Sequence, residues 1–129
     1  MRFTPTRISE VILVEHDVHA DNRGFFVETW HSQAFANAGI EARFLQDNFS
    51  KSMAGVLRGL HYQIERPQGK LVRVSRGAVF DVAVDIRRSS PTFGEWVGAE
   101  LSGDNQRSMW IPPGFAHGFI VTDDCAEFI

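Results

Sequence analysis

The stretch Ala78–Ile86, AVFDVAVDI, is the best-patterned segment of the chain. Side chains alternate along an extended backbone, so Phe80, Val82, Val84 and Ile86 fall on one face and Asp81, Ala83 and Asp85 on the other. The pattern reads as a β-strand and leaves two options for its acidic face. If that face lines a lumen, one Asp could orient an imidazole and favour its protonated form; if it meets solvent, both acids are ordinary surface residues. Similar short runs recur on either side: VILVEH, GFFVETW, VLRGLHYQ, KLVRVS, EWVGAEL, RSMWI and HGFIV. Turn signals such as DNRG at 21–24, RPQG at 66–69, SSPTFG at 89–94 and PPG at 112–114 separate them. Many short strands at this spacing predict an all-β protein, a mostly antiparallel β-barrel or jelly roll. One short helix is expected in HSQAFANAG at 31–39, with Ser32 as N-cap and Gly39 closing it.

The chain has 129 residues, a length that suits one domain with its own core. Net charge is −3 and the 13 Lys and Arg are scattered, so no basic face for nucleic acid is expected. Cys125 stands alone, which excludes a disulfide framework and a CxxC metal or redox motif. No apolar run reaches the length of a membrane span and MRFTPTRISE is not a secretory signal, so a cytoplasmic protein without membrane partners is expected. Phe occurs 11 times and Tyr once.

Polar residues inside apolar strands are the candidates for chemistry. In VLRGLHYQ, strict alternation puts Leu57, Gly59, His61 and Gln63 on one face and Arg58, Leu60 and Tyr62 on the other. An inward His61 could serve as a general base near neutral pH, or be a structural histidine bonded to a carbonyl. Lys70 opens KLVRVS, where it is either a solvated strand end or a charge aimed at the barrel mouth. PPGFAHGF at 112–119 carries the spacing P-x-G-x-x-H, with Pro112, Gly114 and His117. This resembles the second short motif of the cupin superfamily. Gly55 and His61 match the start of the first cupin motif, but Gln63 stands where metal-binding members have a second His. A metal site would need a third ligand beside His61 and His117, such as Glu65.

Read together, DNRGFFVETW, FLQDNFSKS, VLRGLHYQ, QGKLVRV, GAVFDVAVDIRRSSPTFGEW and WIPPGFAHGF resemble the dTDP-4-dehydrorhamnose 3,5-epimerases and related dTDP-sugar epimerases, from about residue 5 to Ile129. The resemblance implies a cupin-type jelly roll, a homodimer, no metal and no cofactor. Position by position, it implies that His61 is the catalytic base and that Lys70 lies beside the sugar. Arg58, Gln46, Asp47, Asn48 and His117 match substrate contacts, and Arg23 and Glu28 match nucleotide contacts lent across the dimer interface. Phe25 and Phe26 could offer a face for thymine. In the family the run beginning AEF continues into a tyrosine, the acid opposite the histidine, and a later acid pairs with that histidine. Residues 1–129 are therefore expected to form one domain lacking the family's C-terminal portion, with Asp81 or Asp85 as possible substitutes for orienting His61.

The implied reaction suits these residue types. A C4 carbonyl acidifies the hydrogens at C3 and C5, a base removes one, and a cation stabilises the enolate oxygen. Guanidinium groups at Arg58 and Arg23 fit a diphosphate. Two other functions are weighed beside it: a non-catalytic module that binds nucleotide sugars, and a metal-dependent cupin enzyme.

Overall fold

A computed structural model describes residues 1–129. Twelve strands and one helix follow one another along the chain. The first third holds β1 (Arg2–Pro5), β2 (Ile12–Glu15), β3 (Val18–Asp21), β4 (Gly24–Val27) and α1 (Ser32–Asn37). β5 (Ser50–Met53), β6 (Leu57–His61), β7 (Lys70–Arg76) and β8 (Ala78–Asp85) come next. β9 (Trp96–Ser102), β10 (Arg107–Ile111), β11 (Phe115–Val121) and β12 (Cys125–Phe128) complete the order. All pairings are antiparallel. Two sheets, β1-β2-β10-β7-β12-β5 and β6-β11-β8-β9, form the jelly roll, and β3-β4 stands apart as a hairpin paired with neither.

The core lies between the two sheets. Val72 and Val74 from β7, Met109 and Ile111 from β10, and Ala126 and Phe128 from β12 meet Val79, Leu101, Phe115 and Phe119 from the other sheet. A satellite cluster of Val14, Phe35 and Ile40 seats the helix on the outside of β2. Helix α1 starts one residue earlier than its sequence suggests. His31, not Ser32, is the N-cap, accepting at Nδ1 from the Ala34 N–H at 3.3 Å. The apolar run at 125–128 is an interior strand, held between β5 and β7. No helix is long and apolar enough to cross a membrane.

Strand β8 decides the inside of the barrel against its own hydrophobic pattern. Val79, Asp81, Ala83 and Asp85 are buried, whereas Val82 and Val84 are only partly covered and Phe80 is exposed. The acidic face is therefore the lumen face. Trp96 and Ile120 on the neighbouring strands are also exposed, so the outer surface of this sheet is apolar.

Candidate functional site

The site is built on β6, β11 and β8, three neighbours in the four-stranded sheet. β11 runs between the other two in register, with His117 opposite both His61 and Ala83. Ala83 is fully buried, so the face shared by His117 and His61 is the inner one. The alternation expected for VLRGLHYQ fails here. His117 pairs with His61 and Phe119 with Arg58, so between these pairs Gly118 alone on β11 stands against Gly59 and Leu60 on β6. That irregularity brings Arg58 to the same face as His61, where strict alternation would have separated them. Arg58 Nε donates to the buried Ser52 Oγ at 2.8 Å, a contact that reaches from one sheet to the other.

Gly59 permits this packing. Its φ is +120°, and a Cβ there would lie 2.7 Å from the Gly118 Cα and 2.8 Å from the His117 carbonyl oxygen. No L side chain tolerates both the conformation and the contact. The glycine in RGLHYQ is thus what allows backbone-to-backbone approach beside the two histidines.

His117 sits deepest and is buried. Its Nε2 is hydrogen-bonded to Asp81 Oδ2 at 2.8 Å, while Asp81 Oδ1 is buried without a partner. Burial pushes the Asp81 carboxyl above its ordinary value, against the opposing pull of His117. His61 is exposed at the strand end. Lys70 begins β7 on the face of Val72 and Val74, and its partial burial pulls the ammonium below its ordinary value. The inner wall therefore presents Arg58, His61 and His117 from one sheet and Lys70 from the other.

Other expected residues lie outside this group. Asp85 does not orient His61: its carboxylate accepts from the Arg87 N–H and guanidinium, Ser90 Oγ and Thr92 Oγ1, all in its own loop. Asp81 is hydrogen-bonded to a histidine, but to His117 and not to His61. Gln46, Asp47 and Asn48 are exposed on the segment before β5, where Gln46 Nε2 donates to Asn48 Oδ1 at 3.0 Å. Arg23 and Phe25 lie on the hairpin and Glu28 just beyond it, all exposed, and Arg23 forks onto Asp21. The set His61, His117 and Glu65 is not assembled, for no three His, Cys, Asp or Glu side chains converge as metal ligands. Two surface depressions, one beside Trp110 and one lined by Arg2, Glu15 and His16, contain none of the expected residues.

The buried Ser52 that receives Arg58 was missed by sequence reasoning. Its only signal is an SKSM strand too short and polar to read as core.

Comparison with known proteins agrees with this architecture. The family description dTDP-4-dehydrorhamnose 3,5-epimerase matches residues 5–129. A protein of that name from Pseudomonas aeruginosa is 58% identical over 130 residues, covering 100% of this chain and 72% of the relative. The crystal structure of the Legionella pneumophila 3,5-epimerase RmlC in complex with dTDP-4-keto-L-rhamnose superposes with a TM-score of 0.96 at 55% identity. That match covers 98% of this chain and 68% of the other. The more distant ChmJ of Streptomyces bikiniensis, a 3'-monoepimerase in complex with dTDP-quinovose, gives a TM-score of 0.86 at 29% identity, covering 97% and 65%. On the match from residue 5 to residue 129 and the shared jelly roll, the chain belongs to the dTDP-4-dehydrorhamnose 3,5-epimerase family.

Proposed function

We propose that this protein epimerises a dTDP-4-keto-6-deoxy sugar by removing a proton beside the C4 carbonyl. The observation that carries the reading is the pairing of His61 with His117 on the inner face of the barrel, with Arg58 turned to the same side. His61, open at the strand end, takes the proton from C3 or C5. Lys70, on the facing sheet, meets the enolate oxygen as charge develops there. Its depressed pKa has burial as its only cause, and a charge in such a setting acts more strongly than one in water. His117 holds the sugar, and Arg58 the diphosphate. Gln46, Asp47 and Asn48 close over the substrate from the segment ahead of β5.

The hairpin supports a homodimeric arrangement. β3 and β4 pair only with each other, and Phe25 and Phe26 are well exposed with Arg23 between the strands. A second copy would give these side chains a partner, with Arg23 and Glu28 serving the neighbouring site and Phe25 offering a face for thymine. The apolar outer face of the four-stranded sheet supports the same assembly. An unpaired cysteine fits a cytoplasmic setting.

The test is exchange in D2O. Incubation with dTDP-4-keto-6-deoxyglucose should place deuterium at C3, at C5 or at both, read by NMR. His61→Ala should slow that exchange by ~10²–10⁴-fold, the range for loss of a general base. Exchange needs only the base, whereas inversion also needs a donor on the opposite face. Tyr62 is this chain's one tyrosine, and it is exposed next to β6. Exchange therefore isolates the step assigned to His61. Wild-type protein that binds the nucleotide sugar and exchanges neither hydrogen would replace this reading with a non-catalytic binding module.

A further inference from the structure

Asp81 is fully buried, and its side chain has a single hydrogen bond, to His117 Nε2. A carboxylate kept only for stability is normally surrounded by donors, because burial removes the water that would satisfy it. Here Oδ1 has no partner at all. The histidine is confined from another side as well, since Phe128 stacks on its ring at 6.0 Å between centroids and Phe119 stacks on Phe128 at 4.2 Å. Arg58 and His61 from β6 and Lys70 from β7 face the same lumen, but none of them bonds to Asp81.

Resting on the epimerase reading, we propose that Asp81 is a positioning residue. It holds Nε2 of His117, so that Nδ1 is the ring nitrogen presented to the sugar beside His61. The physical reason is that a neutral imidazole has two tautomers and an acceptor on one nitrogen selects between them. A carboxylate offers only lone pairs, so it fixes the proton on Nε2. Without Asp81 the ring could rotate or carry its proton on Nδ1, and the nitrogen facing the sugar would change character. The single-bonded, half-satisfied acid is retained for what it does to the histidine.

The experiment combines side-chain 15N spectra of the histidines with the exchange assay, on wild type and Asp81→Asn. In wild type, His117 should carry its proton on Nε2 at neutral pH. In the variant that preference should be lost, and deuterium exchange into dTDP-4-keto-6-deoxyglucose should slow ~10–100-fold, the usual scale for loss of a group that orients a functional histidine. Affinity for dTDP alone should move less than about threefold, since nucleotide contacts lie elsewhere. A wild-type His117 protonated on Nδ1 alone overturns the proposal without any variant. So does a folded Asp81→Asn protein whose His117 spectrum or exchange rate matches wild type. Should wild type exchange no sugar hydrogen, the epimerase reading falls, and the spectra alone then decide the role of Asp81.

Discussion

Strand β8 carries two aspartates four residues apart, both fully buried on the same face, and the chain treats them in opposite ways. At its end, Asp85 is saturated. Arg87 donates to it three times, Ser90 and Thr92 once each, and Arg87 also reaches Glu10 and lies over Phe115. The Arg87 bonds hold the Asp85 carboxyl far below the usual range, and Asp85 in turn pushes the guanidinium up. At mid-strand, Asp81 has one partner and an orphaned oxygen, and burial pushes it up. Burial alone therefore says nothing about what a buried acid does. The number and charge of its donors separate a clamp that fixes a loop from an acid that serves a site.

The largest expected difference is in stability. Asp85→Asn should cost about 3 kcal/mol, since it strips a buried charge from a guanidinium and two hydroxyls, and bonds to charged groups are worth about 1.5–3 kcal/mol each before relaxation. Asp81→Asn should change stability by less than about 1 kcal/mol, because it replaces an expensive buried charge with a neutral isostere. Urea melts of both variants test the contrast, and equal losses would erase it. Acid titration is expected to split the two again. The folded Asp85 value lies below the ordinary 3.8, so its contribution is complete above that pH and is lost as pH falls through the lower folded value. The folded Asp81 value lies above 3.8, so its proton-linked stabilisation is present below 3.8 and is lost as pH rises through the elevated value. The deficit of Asp85→Asn against wild type should thus shrink below pH 3.8, while Asp81→Asn should gain on wild type above it. The smallest effect is expected from Thr92→Val, which removes one of the five donors at Asp85 and should cost about 1 kcal/mol by thermal denaturation.

Much of the molecule was legible in the residues. Eight of the strands begin from runs such as KLVRVS and RSMWI, whose β-branched and aromatic content leaves few alternatives. The strands that were not legible, β1, β3, β5 and β12, have four residues each and, unlike the equally short β2 and β4, no run of three or more large apolar residues in or beside them to mark them. At the site, the residue types in RGLHYQ and FAHGF marked two histidines and an arginine, but not their faces. The register irregularity at Gly59 reverses the parity between Arg58 and His61, and it lies where Gly118 of another strand packs against the backbone, a contact that alternation along one strand does not reveal.

The sequence by itself determined the all-β class, because alternation and turn chemistry are local properties, and its resemblance to the dTDP-sugar epimerases pointed to the family and to the residue types at the site. Only the tertiary structure decided which face of β8 looks inward. By hydrophobicity alone the Phe80–Val84 face would have been buried, yet the pairing of β8 with β9 and β11 turns Asp81 and Asp85 to the lumen. It also decided which histidine Asp81 serves, since Asp81 and His117 lie 36 positions apart and meet only through the register of two strands. A partner at that distance leaves no periodic trace in either strand, so only the folded chain reveals it.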